Sequence, residues 1–173
     1  MTFQLNHDDT FNASIPDGEY EVVITSVEEN VTQSGSEYCQ FDLVIRNDIE
    51  QPNKNNHIFH KVWRTKATGE YNPKSFNSIG KAANLPNGKT YSSLRDLFED
   101  FIGQAVRVSV KNETSQHNGN TYENLNVKQW NPTRIQGAVR HVHKEQQARQ
   151  AASEAFSIPP DHQLNISDDD LPF

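Results

Sequence analysis

Residues 37–48 read EYCQFDLVIRND. Apolar side chains recur at every second position. Cys39, Phe41, Leu43 and Ile45 form one face, and Tyr38, Gln40, Asp42, Val44 and Arg46 form the other. A period of two is that of a β-strand with one side in a core and the other in solvent. A helix would bring Phe41 and Ile45 together but turn Cys39 and Leu43 away from them. The stretch therefore predicts a sheet, and the segments on either side extend it.

Upstream, residues 15–29 (IPDGEYEVVITSVEE) open with a Pro-Asp-Gly turn and continue as a strand, in which Tyr20, Val22 and Ile24 alternate with Glu21, Val23 and Thr25. Downstream, after the polar loop at 49–55, residues 57–65 (HIFHKVWRT) predict a third strand. Its faces are Ile58, His60, Val62, Arg64 and Phe59, Lys61, Trp63, and periodicity alone does not choose the buried one.

The period then changes. Phe76, Ile79 and Ala83 lie at helical spacing in residues 72–86, which stop at Pro86. Leu94, Leu97, Phe98, Phe101 and Ile102 form a helical stripe after Ser92 or Ser93 as N-cap, with Gly103 as the stop. Alternation returns at 104–112, with Val106, Val108 and Val110 inward against Arg107, Ser109 and Lys111. The turn-rich residues 113–120 follow, and then 121–130, where Leu125 and Val127 oppose Tyr122, Asn124, Asn126, Lys128 and Trp130. The order β-β-β-α-β-β predicts a mainly β fold: a five-stranded OB-fold barrel with a helical insertion between strands 3 and 4.

Beyond about residue 133 the chain turns polar. Residues 139–156 are rich in Gln and Ala and suit a short polar helix without an apolar face wide enough to dock. Residues 157–173 carry three prolines and an acidic run, the composition of a disordered tail. The division predicted is an N-terminal extension at 1–14, an OB domain at 15–132 and a flexible tail at 133–173. An apolar fraction of 34% and a mean hydropathy of −0.83 agree with a packed core in only part of the chain.

No apolar run approaches the roughly 20 residues that span a bilayer. The opening MTFQLNHDDTF is polar rather than a basic and then apolar secretion signal, so an intracellular protein is expected. The formal net charge of −7 argues against a generally basic nucleic-acid binder. The charge is uneven, however. Residues 18–132 hold 12 basic and 14 acidic side chains, so a local basic groove fits there.

Outward strand positions mix rings and cations: Tyr38, Arg46, Arg107, Lys111, Tyr122, Lys128 and Trp130, with Lys61, Trp63 and Arg64 as additions from strand 3. Such a mixture suits single-stranded nucleic acid, with bases on the rings and phosphates on the cations. The plainer account is that solvent faces of strands often carry Tyr, Lys and Arg.

Other motifs carry less. Gly88-Lys89-Thr90 resembles the end of a phosphate loop, but the Gly required five positions earlier is Ala83. His57 with His60, and His141 with His143, have no Cys or second pair at a ligand spacing, so no metal or cofactor is expected. No nucleophile has a neighbouring base, which argues against an enzyme. Cys39, the single cysteine, falls on an apolar face and reads as a buried, inert thiol.

The sequence ends in Asp168, Asp169, Asp170, Leu171, Pro172 and Phe173. This run resembles the acidic tip of bacterial and phage single-stranded DNA-binding proteins, which recruits replication and repair enzymes in that family. Residues 15–48 are also similar to the start of a phage family of unknown function whose members are inferred to bind single-stranded DNA, a resemblance that extends over about 15–130. Together these resemblances imply a non-catalytic protein of phage type in the cytoplasm of a bacterial host. It would coat single-stranded DNA during replication or recombination and offer its tip to partner enzymes, with homo-oligomers as a further expectation. The alternatives are a protein-interaction adaptor with an OB-like barrel and a recombination mediator.

Overall fold

The computed structural model describes residues 15–143. Five strands are present: β1 (Gly18–Val31), β2 (Glu37–Ile45), β3 (His57–Trp63), β4 (Ala105–His117) and β5 (Asn120–Pro132). Two helices, α1 (Pro73–Ala82) and α2 (Leu94–Phe101), lie between β3 and β4. The strands form one sheet in the order β3-β2-β1-β4-β5, and every neighbouring pair is antiparallel. This is the expected order of strands and helices. The extension at 1–14 and the acidic tip at 168–173 lie outside the described residues, as does all but the start of the polar helix expected at 139–156, and the described part, 139–143, is not helical.

The expected barrel is not closed by hydrogen bonds, because β3 and β5 do not pair. A physical reason follows from the parity of the sheet. With all four neighbouring pairs antiparallel, β3 and β5 run in the same direction, so only a parallel ladder would close the ring. Parallel pairing is slightly weaker per residue.

Strand parity sets the core. Tyr20, Val22 and Ile24 of β1, the alternate residues Cys39 to Ile45 of β2, Ile58 and Val62 of β3, and Val106, Val108 and Val110 of β4 all point inward and are buried. The helices cap this core. Phe101 packs on Phe41 with ring centroids 5.6 Å apart, and Phe76 packs on Phe98 at 6.0 Å. Each fully buried side chain of this kind contributes about 1.5–3 kcal/mol. Burial pushes the Cys39 thiol up to about 12, so it stays protonated and unreactive.

Local signals place the helices. Asn72 caps α1 by accepting from the Lys74 amide, with Pro73 in the first turn. Ser93 caps α2 through the Asp96 amide. Gly103 adopts φ +87°, where a side chain would be strained, and its amide donates to the Ile24 carbonyl. Ile102, expected in the apolar stripe of α2, is 43% exposed because the helix ends before it.

Candidate nucleic-acid interface

The outer face of the sheet has two halves with different chemistry. The first half lies over β1, β4 and the end of β2 at Val44. Here Val23 and Val44 are buried although they point outward, and Glu21 is only 8% exposed. The chain after β5 is held to this half by hydrogen bonds. Glu21 accepts from the Thr133 hydroxyl at 2.6 Å and from the Arg134 amide at 2.9 Å. Asp48 accepts from the Arg140 amide at 2.9 Å, and the Asn47 amide donates to Nδ1 of His141 at 3.1 Å. The contacts of the folded body therefore run past residue 132, where the OB domain was expected to end.

This half removes two of the expected DNA contacts. Arg46 is 1% exposed and grips Asp48 with two hydrogen bonds of 2.8 and 2.6 Å. The guanidinium holds the Asp48 carboxyl down to about 2. Arg46 was expected to point into solvent, and strand parity did turn it outward. Its pairing with the carboxylate two residues on buries it there. Arg107 is likewise covered, with 15% of its side chain exposed and Glu19 at 3.9 Å.

Trp130 is corrected for a different reason. The β4–β5 register shifts between Ser109 and Val110, so that Val110 faces Val127 while Val108 faces Trp130. The extra residue, Lys128, reverses parity beyond it. Trp130 therefore packs inward, edge-on to His60 at 5.3 Å and to Phe41 at 6.0 Å. Crowded against these rings, His60 is desolvated, which lowers its pKa to about 4 and keeps it neutral.

The second half, the outer face of β2 and β3, is open. Ile58 and Val62 of β3 point into the core, which turns Phe59, Lys61 and Trp63 out. Phe59 is 51% and Trp63 46% exposed. Cross-strand pairing sets Tyr38 beside Trp63, with ring centroids 4.6 Å apart. Lys61 spans this pair, its Nζ 4.8 Å from the Tyr38 ring and 5.8 Å from that of Trp63. At the other end His57 stacks on Phe59 at 5.9 Å and 16°, while its Nδ1 lies 2.7 Å from Asp42. The strand rise of about 3.3 Å per residue puts Phe59 and Trp63 about 13 Å apart along one line. Of the expected residues, Tyr38, Lys61 and Trp63 meet here. Phe59 and His57 join them, and Phe59 was recognisable as the partner of Lys61 and Trp63 on one strand face.

The β4–β5 hairpin stands beside this face. A two-residue turn, Asn118 at φ 52° and Gly119 at φ 78°, joins its strands. Tyr122, 48% exposed, shares its outer face with Lys111, Asn124 and Asn126. Lys128 is paired with Glu113 and holds that carboxyl below its usual range. Arg64, at the end of β3, is bound to Glu29 at 2.8 Å and Glu37 at 3.0 Å and lies over the Tyr71 ring. Among the described residues, Lys61 and Lys111 are the cations of this region without an ion pair. A cleft of about 590 Å³ separates β3 from β5, lined by His57 to Trp63 on one side and by 123–128 on the other.

Among the described residues, no three His, Cys, Asp or Glu side chains converge as a metal site, and no helix is long and apolar enough to cross a membrane. Half-exposed Phe and Trp side chains in one row, interleaved with Lys, are costly in water unless something covers them. Planar rings of a ligand fit that row, with a negative group at Lys61.

Residues 1–139 match the family model described as protein of unknown function, DUF669. No curated protein matches the sequence. Among solved structures, the chain is similar to one described as yeast RPA bound to ssDNA, at 5% identity and a TM-score of 0.37, over 88% of this chain and 92% of that one. A likeness this slight has no bearing on what the chain binds.

Proposed function

The chain belongs to the DUF669 family, whose function is unknown, and we propose that it is a single-stranded DNA-binding protein. The observation that supports this reading is the row Phe59, Lys61, Trp63 with Tyr38 against Trp63. Stacking of a base on an aromatic side chain contributes about 1–3 kcal/mol and tolerates any sequence. The reading is non-catalytic and requires no cofactor. It assigns DNA to the body and partner enzymes of replication, recombination or repair to Asp168–Phe173, in the cytoplasm of a bacterial host.

The scarcity of unpaired cations shapes the mechanism. Arg46, Arg64 and Lys128 are each committed to a carboxylate, and Arg107 is largely buried near Glu19. Binding by Lys61 and Lys111 neutralises few phosphates, so stacking dominates. Each phosphate neutralised on a single strand contributes about −0.7 to the slope of log K against log salt. The test is a titration of oligo(dT) and of a duplex of equal length over a range of salt. The reading predicts binding of the single strand well above duplex, with a shallow slope of about −1.4 for two phosphates. Equal affinity for both forms would refute it.

A further inference from the structure

The cleft between β3 and β5 is bounded by two strand edges that no other strand covers among the described residues, the β3 edge being bridged only past its end, where Arg64 pairs with Tyr71. The hydrogen-bond pattern tells which residues face it. The Arg64 amide donates to the Glu37 carbonyl across the β2–β3 ladder. In an antiparallel pair, residues that exchange hydrogen bonds alternate with residues that do not. Counting back from Arg64, residues Val62, His60 and Ile58 bond to β2, while Trp63, Lys61 and Phe59 turn their N–H and C=O groups to the cleft. The aromatic row and the unpaired backbone row thus belong to the same residues.

The opposite rim follows from the hairpin. Its turn is closed by the pair His117 and Asn120. In a two-residue hairpin that closing pair is hydrogen-bonded, and alternation then bonds Tyr122, Asn124 and Asn126 to β4. Glu123, Leu125 and Val127 are left with backbone groups directed at β3. Each rim therefore offers alternating donors and acceptors, and His60 lies between them beside Trp130.

Width decides what such a slot takes. An added peptide strand would need two ladder spacings, about 9.6 Å, between β3 and β5. Their Cα atoms approach within 8 Å, too close for a strand to enter along the whole seam. A nucleobase carries its donors and acceptors on its edge, in the plane of its ring, so a base stacked on the β3 row needs only that edge to reach the seam.

We infer that the β3–β5 seam reads base edges: bases stacked on Phe59 and Trp63 turn their hydrogen-bonding edges to the unpaired backbone groups of β3 and β5. The inference rests on the proposal that this face holds a single strand. It adds that binding depends on the polar edge of the base as well as on its ring.

The test uses the full chain with two probes: oligo(dT), and the same oligonucleotide built from 2,4-difluorotoluene nucleosides, which keep the shape and stacking of thymine but lose its hydrogen bonds. The expected result is that the nonpolar strand binds about tenfold weaker or more, within the range for lost edge contacts. Residue-resolved amide exchange should also slow at Phe59, Lys61, Trp63 and Leu125 on adding oligo(dT). Equal affinity for the two strands, or seam amides that exchange at the free rate when oligo(dT) is bound, would overturn the seam as a reader and leave stacking in place. Failure of oligo(dT) to bind at all would overturn the inference and the proposed function together.

Discussion

The two halves of the outer face begin from similar residues and end with opposite properties. Over β1 and β4, Arg46 is matched with Asp48, Arg107 is covered with Glu19 at 3.9 Å, and residues 133–141 are bonded across Glu21, Asn47 and Asp48. Over β2 and β3, the aromatic side chains Tyr38, Phe59 and Trp63 meet mainly each other, His57 and Lys61. A cation on a strand is a ligand contact only when no carboxylate of its own fold has claimed it. The difference between the halves lies in which residues are already satisfied, and each half answers to a different perturbation.

The largest effect is expected on the closed half. Arg46→Ala leaves Asp48, with a side chain 9% exposed, as a buried charge without its cation. The cost is about 3–5 kcal/mol of fold stability. Denaturant melts should show this loss, while the affinity of the remaining folded protein for oligo(dT) stays at the wild-type value. Lost affinity with unchanged stability would return Arg46 to the DNA face.

Acid should weaken the packing of His60 beneath the β3–β5 seam. His60 has a folded pKa of about 4, against about 6.5 in an unfolded chain. Between those values the unfolded state binds a proton that the folded state does not. Its contribution is therefore complete above about pH 6.5 and is lost as pH falls towards about 4, by up to about 3 kcal/mol. Melts across this window should show the decline, and His60→Leu should flatten it. Asp48 titrates lower, with its stabilisation lost only as pH falls from about 4 towards about 2.

On the open half the expected effects fall on binding. Trp63→Ala should weaken oligo(dT) binding by about 1–3 kcal/mol and change stability by less than about 1 kcal/mol. Titrations beside thermal melts separate the two. A variant that loses stability and keeps its affinity would place Trp63 among the structural residues. The smallest effect is that of Lys61→Gln, which should reduce the salt slope by about 0.7 if Lys61 meets one phosphate.

Much of the fold was legible because it is written in local periods. The alternation Cys39, Phe41, Leu43, Ile45 and the capped stripe from Ser93 to Phe101 each signal their own element. The site was legible only in part, because it depends on events between elements. A one-residue bulge at Lys128 carried Trp130 from the solvent side to the core, and nothing in residues 121–130 announces it. Strand parity turns Arg46 outward, and the grip of Asp48 beyond the strand end takes it out of solvent. Strand 3 carried two apolar-containing faces, and only packing of Ile58 and Val62 against the core decided that Phe59 and Trp63 face out. The open seam is a non-local property of sheet parity and has no signature in any one strand.

The chain contains two tryptophans, Trp63 on the open face and Trp130 against His60 and Phe41. This allows the central claim to be tested by fluorescence in two single-tryptophan proteins, Trp130→Phe and Trp63→Phe, each titrated with oligo(dT). Strong quenching of Trp63 is expected in the first protein and little change of Trp130 in the second. Quenching of Trp130 with Trp63 unaffected, or a bound strand that quenches neither, would contradict the assignment of the β2–β3 face.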